Sequence, residues 1–280
     1  MPAAAAVIHE HHKHGSKSST SFTLVACPAG KLTSVRTLGH KLVSGGSVPA
    51  HTMAPAAVRA AEFLEQATPT ILVRGDGRLY DVADMARVVS AALTDMRRKG
   101  KDAAAIERTR QAMESPLWME DIKSAYVEFW NLLVGAWLDV NLSKQREQKE
   151  LPLEWGGSRL TARTTFEIKS RNATRVRLEL VSVAEGANAN RALARLLWAS
   201  GEDASGHQTM ERVYRAAVDL QPETMRPNFA QSTKRLTIRD AENTREYFET
   251  HRIWLRWLSA GQADAYCSRK TGRAKDGAEG

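Results

Sequence analysis

The stretch from Ser115 to Val140 constrains this chain more than any other. Trp118, Ile122, Ala125, Tyr126, Phe129, Trp130, Leu133, Ala136, Trp137 and Val140 recur at steps of three and four, which is the period of one helix face. Ser115 is placed to cap the first turn, and Pro116 suits the first helical position, where its missing N–H would have had no partner. Asp121, Lys123, Ser124, Glu128 and Asn131 occupy the other side. A wide apolar stripe rich in tryptophan therefore has to be covered, so the segment reads as a scaffold helix.

The rest of the chain is basic. Forty Lys and Arg oppose 32 Asp and Glu, a net charge of +8, and such an excess favours polyanionic partners. The 42% apolar content supports a core. Cys27 and Cys267 lie near opposite ends without metal-ligand spacing, so neither a disulfide framework nor a structural zinc is expected, and a reducing compartment is the default. The opening M-P-A-A-A-A-V-I lacks a basic start and runs into H-E-H-H-K-H, unlike a secretory signal. No stretch reaches membrane-spanning length without charges. The expected location is the cytoplasm or the inside of a viral particle.

Taken in order, residues 1–20 read as a disordered arm, with too little to bury. Residues 21–48 read as short strands or extended arms, and Ala56 to Gln66 as a short helix. T-I-L-V-R-G-D-G-R-L-Y-D-V reads as two strands joined at Gly75-Asp76-Gly77, so its RGD triplet is a plain turn. Helices are expected over Asp81 to Arg98, Asp102 to Glu114 and the tryptophan segment. The charge run before Leu151 marks a boundary near Lys149. Beyond it, T-A-R-T-T-F-E-I-K-S and T-R-V-R-L-E-L-V-S-V alternate as a β-hairpin about Ser170 to Ala173. Helices are expected again over Asn188 to Ser200, Gln208 to Leu220 and Asp240 to Leu258, followed by a basic mobile tail over 266–280. The predicted fold is mainly α: a first helical lobe over 21–149 with short strands, a second over 150–265 with the hairpin, and extended arms at both ends.

No catalytic signature stands out. There is no G-x-x-x-x-G-K-[ST], and Gly45-Gly46 and Gly75-Asp76-Gly77 lack the strand-to-helix setting of a phosphate cradle. G-x-S-x-G is absent, and neither cysteine neighbours an obvious base. Near-HExxH spacing at His9, His11, His12 and His14 fails because Lys13 stands at the second histidine position. That cluster reads as a metal binder only by accident. Neither a metal nor a cofactor is expected, and no enzyme.

The charge pattern carries the functional expectation. Between residues 159 and 195 stand Arg159, Arg163, Lys169, Arg171, Arg175, Arg177, Arg191 and Arg195, against only Glu167, Glu179 and Glu185. Arginine forks grip phosphate in a bidentate manner and stack on bases. A ribbon of them backed by helical arginines could line a groove along a sugar-phosphate backbone. The opposing reading has Glu167 and Glu179 pair these cations across strands as an ordinary exposed sheet face. Trp155 in its Gly-flanked loop could pack or stack on a ligand, while the other tryptophans belong to apolar faces. The expected function is a self-associating structural protein that binds nucleic acid, RNA above all, without reading sequence, on the design of a viral coat or nucleocapsid subunit. A helical protein-protein adaptor and an enzyme with a dispersed site are the alternatives.

Overall fold

The computed structural model describes residues 2–13, 15–45, 63–64, 66–155, 158–199 and 208–272. The mainly α expectation is overturned: half of the chain is strand, and the eleven strands form one antiparallel sheet. The strands are β1 (Ala3–Lys13), β2 (Ser16–Ala29), β3 (Leu32–Gly45), β4 (Thr70–Val73), β5 (Leu79–Ala83), β6 (Arg146–Trp155), β7 (Ser158–Arg171), β8 (Val176–Ala184), β9 (Thr209–Leu220), β10 (Pro227–Arg239) and β11 (Thr244–Trp257). Their order across the sheet is β5-β4-β3-β2-β1-β11-β10-β9-β8-β7-β6. The helices are α1 (Met85–Arg98), α2 (Ala103–Met113), α3 (Pro116–Leu133), α4 (Gly186–Ala199) and α5 (Ala260–Gly272).

Four segments depart from the sequence reading. Residues 1–20, read as a disordered arm, supply β1 and the start of β2. Their alanine run buries Ala4, Ala5 and Val7 once neighbouring strands exist, a gain that depends on partners distant in sequence. The helices expected over 208–220 and 240–258 are β9 and β11. Part of the expected mobile tail, 266–272, is the end of α5. Residues 273–280, most of the helix expected over 56–66, and Gly46 lie outside the described residues.

The chain divides into two compact units. The first comprises residues 1–9, 18–138 and 254–280. The tryptophan helix organises it as the apolar stripe implied: Ser115 Oγ accepts from the Trp118 N–H at 3.3 Å, with Pro116 at the helix start. Trp118, Met119, Ile122, Tyr126 and Val127 of α3 pack on Val82, Met85 and Val88. Val89, Leu93 and Met113 form the adjoining layer with Ile106. The helix stops at Leu133, short of the expected Val140, and a single 3₁₀ turn, Gly135–Trp137, follows. Trp130 Nε1 donates to the Gly77 carbonyl at 2.9 Å, fastening α3 to the β4–β5 turn. The Gly77 N–H donates to the Arg74 carbonyl at 3.0 Å, so the RGD triplet is indeed a turn. Gly77 continues it with φ +85°, which an L side chain rarely adopts.

In the same unit, α5 seats Ala263 against Ala4 and Val25, beside Leu38, Leu258 and Tyr266. There Cys27 of β2 and Cys267 of α5 form a disulfide with Cα atoms 5.6 Å apart. The sequence reading disfavoured such a bond because 240 residues separate the two cysteines. The fold removes that objection by laying α5 beside the β1–β2 end of this unit.

The second unit comprises residues 10–17 and 139–253. Its boundary at 138/139 lies ahead of the Lys149 cut, because β6 already belongs to this sheet through pairs such as Glu150↔Arg163. In β7 every second residue from Leu160 to Ile168 is buried, and Val176, Leu178 and Leu180 answer from β8. This hairpin matches the sequence reading. Its turn is set by Asn172, whose Oδ1 accepts from the backbone N–H groups of Thr174 and Arg175, both at 2.9 Å. Helix α4 covers one end of that apolar face, placing Ala189, Ala192 and Leu193 on Leu160, Ala162, Met210 and Ile238.

Candidate nucleic-acid interface

The alternation that buries Ala162, Thr164 and Phe166 turns Arg163 and Glu167 to the face opposite α4. There the acidic residues find the cations. Arg163 Nη2 lies 2.9 Å from Glu185, and Lys169 Nζ lies 2.8 Å from Glu167 and 3.8 Å from Glu179. The Glu167 hydrogen bond raises the Lys169 ammonium above its ordinary value. Arg177 reaches Glu179 with Nε and Asp219 with Nη1, each at 3.3 Å. Arg175 Nη1 stands 3.6 Å from the other oxygen of Asp219.

The eight predicted cations therefore separate. Arg191 and Arg195 ride on α4, over the opposite side of the sheet from Arg163 and Arg177. Arg191 is engaged by Asn188 within its own helix. A single groove shared by ribbon and helix is not formed by these side chains. Arg159 lies in β7 opposite Glu154, and its side chain, like those of Trp155 and Trp198, lies outside the described residues. What the fold does gather is the turn end of the β7–β8 hairpin. Arg171 ends β7 there, exposed and without an ionic partner within 4 Å among the described residues. Beside it, Arg175 and Arg177 share the carboxylate of Asp219, which β9 supplies from the position directly opposite Arg177. Asp219 is largely buried, with its side chain only 12% exposed. Sequence reasoning missed it because β9 read as a helix.

A second polar cluster joins His11, one of the histidines whose spacing reads as an accidental metal binder, to Glu249 and His251, which have no site role in the sequence reading. On β11, Glu249 and His251 are two residues apart and share one face, and His11 comes from the neighbouring β1. His11 Nε2 is 2.8 Å and His251 Nε2 3.4 Å from the same Glu249 oxygen. The two imidazoles stack with centroids 4.4 Å apart and planes 5° from parallel. Lys234 Nζ is 3.7 Å from the other oxygen, and Lys13 Nζ 4.0 Å from the shared one. The His251 hydrogen bond, with the Lys234 charge and the His11 hydrogen bond behind it, holds the Glu249 carboxyl far below the usual carboxylate range despite burial. Burial lowers His11, more than the carboxylate raises it.

No family model matches the chain, and no curated protein matches it. Among solved structures it is similar to a chain described as "Lipid-protein interactions in lipovitellin", at 10% identity and a TM-score of 0.45. The match covers 92% of this chain, which spans 25% of that one. So distant a likeness carries no functional argument. Among the described residues, no helix is long and apolar enough to cross a membrane.

Proposed function

We propose that the protein binds nucleic acid, RNA above all, through sequence-independent phosphate contacts centred on Arg171, Arg175 and Arg177, and that it does so as a self-associating structural subunit. The supporting observation is the two-to-one arrangement at Asp219: one buried carboxylate orients two guanidiniums but neutralises only one. With Arg171 alongside, the hairpin end keeps a positive excess in a fixed geometry suited to bidentate phosphate. The overall charge of +8 draws a polyanion towards it. The other two described cations of the predicted ribbon, Arg163 and Lys169, are paired and contribute little.

Filter binding of random single-stranded RNA across a salt series tests this reading. Three phosphate contacts give a slope of roughly −2 in log K against log salt, at about −0.7 per contact for single strands. Arg171→Ala with Arg175→Ala flattens that slope. Arg177→Lys is the better probe at the third position, because alanine there would strip Asp219 of a partner. Absence of binding at low salt, or a slope indifferent to these substitutions, overturns the reading. Light scattering tests the subunit role: a particle that stays monomeric with and without RNA rules out packaging.

A further inference from the structure

We infer that His11, Glu249 and His251 form a binding site for a divalent transition-metal ion of the zinc and copper class. Three donor atoms converge here, two imidazole nitrogens and one carboxylate oxygen, all within 4.8 Å of one another. They are borderline and hard donors of the kind that zinc and copper accept. Ligand bonds of about 2.1 Å in tetrahedral geometry require donors roughly 3.4 Å apart. His251 Nε2 already stands 3.4 Å from Glu249 Oε1, and His11 Nε2, at 2.8 Å, has to retreat by about half an ångström. The two stacked rings also have to tilt away from parallel so that each Nε2 lone pair meets the ion.

The backbone holds this set. Glu249 and His251 share a face of β11 by strand alternation, and His11 is brought in by the adjacent β1. Neither strand is a loop that must order on binding. Both imidazoles present the same nitrogen, Nε2, to a single oxygen. An imidazole that binds the ion through Nε2 does so as a neutral ligand with its proton on Nδ1. Glu249 keeps its second oxygen towards Lys234, the kind of outer partner that orients a ligating carboxylate. Three protein ligands leave at least one position for water or a small ligand.

Two ammonium groups oppose the ion and give the site a signature. Lys13, from β1, faces the ligating oxygen at 4.0 Å, and Lys234, from β10, faces the other at 3.7 Å. Removing the half-exposed Lys13 should tighten binding of the doubly charged ion roughly tenfold, the effect of one unit charge on a divalent ion about 5.5 Å away in water. A flexible histidine tract contains Lys13 too, so only a dependence on Lys234, from β10, sets this site apart from it.

The test uses the full chain, stripped with chelator and titrated with Zn2+ against a chromogenic competitor at pH 7.5. The expected result is one tightly bound equivalent, weakened at least thirtyfold by His11→Ala, His251→Ala or Glu249→Gln. Lys13→Ala and Lys234→Ala each tighten it, and the double variant His12→Ala/His14→Ala leaves it unchanged. Circular dichroism checks that each variant folds. X-ray absorption of the zinc-loaded wild type gives an independent readout that no misfolded variant can confuse, with two imidazole nitrogens and a carboxylate oxygen expected. Loss of the bound equivalent on removing His12 and His14, indifference to His251 and Glu249, or a spectrum without imidazole scattering overturns the proposal. RNA binding is measured separately at the hairpin end, so either result stands without the other.

Discussion

At the scale of single residues, the tryptophan hydrogen bonds show how one polar atom sets an element's place. Trp137 donates to the Leu132 carbonyl at 2.8 Å as Trp130 does to that of Gly77. In each case a largely buried indole satisfies a carbonyl that water reaches poorly. Trp130→Phe keeps the packing and removes the donor, at a cost of about 1 kcal/mol. In a chain of this size that shifts the thermal midpoint by roughly 2–4 °C. A shift below 1 °C would mean that the Gly77 carbonyl finds water instead. Asp81 makes a smaller, pH-dependent contribution. Its hydrogen bond from Lys123 Nζ at 3.0 Å lowers its carboxyl below the ordinary value. A carboxyl depressed in the folded state stabilises above its unfolded pKa, and that stability is lost as acid carries the pH through the folded value. Both side chains are about half exposed, so the contribution is only about 0.2–1 kcal/mol. Lys123→Met should therefore lower stability at pH 7 and make no difference near pH 2. Urea midpoints at the two pH values check it.

At the scale of elements, helices of one unit and strands of both differ in how openly the sequence displays them. Helices α1, α2 and α3 carry their own period, and α2 and α3 their own side-chain caps. Asp102 accepts from the Ala105 N–H at 2.7 Å, as Ser115 does from Trp118. Nothing distant is needed to recognise them. The β7–β8 hairpin is legible for the same reason, since its alternation is complete within itself. β9 is the contrary case. Met210, Val213, Ala216, Ala217 and Leu220 fit a helix face, yet residues 216–220 are buried without a break. That is the mark of a strand covered on both sides, which no local period reveals. In β11 Tyr247, Phe248 and Trp254 suit the apolar face of the helix expected over Asp240 to Leu258, yet all three are exposed. The true signal was R-I-W-L-R-W, where Ile253 and Leu255 go inside and Arg252, Trp254 and Arg256 stay out. Leu178 tests the central strands, being 1% exposed in β8. Leu178→Ala should cost about 2–5 kcal/mol. A denaturation midpoint moved by less than a quarter of that would deny β8 its core position.

At the scale of the whole molecule, what the sequence hid is what depends on distant partners. Asp219 was unreadable as the partner of Arg175 and Arg177 until β9 was laid beside β8. His11 and Glu249 stand 238 residues apart, and Cys27 and Cys267 240 apart. The disulfide makes the sharpest prediction at this scale. It lies wholly within the unit that contains α5 and β2, and it closes most of the chain into one loop. Restricting so long a loop in the unfolded state is worth about 5 kcal/mol in the chain-entropy account. Replacing Cys27 and Cys267 together by Ser should lower the thermal midpoint by roughly 10 °C. The loss should also be local, because two units need not unfold as one. Amide exchange should quicken in α5 and along Val25 to Ala29, where Ala263 packs on Val25 beside the bond. The amides of β8 and β9, held by their own ladder in the other unit, should keep their protection. Equal loss in both units would mean that the disulfide stabilises the chain as a single cooperative block. An unchanged midpoint, or mass spectrometry of the unreduced protein that finds both thiols free, would show that packing of α5 alone holds this end.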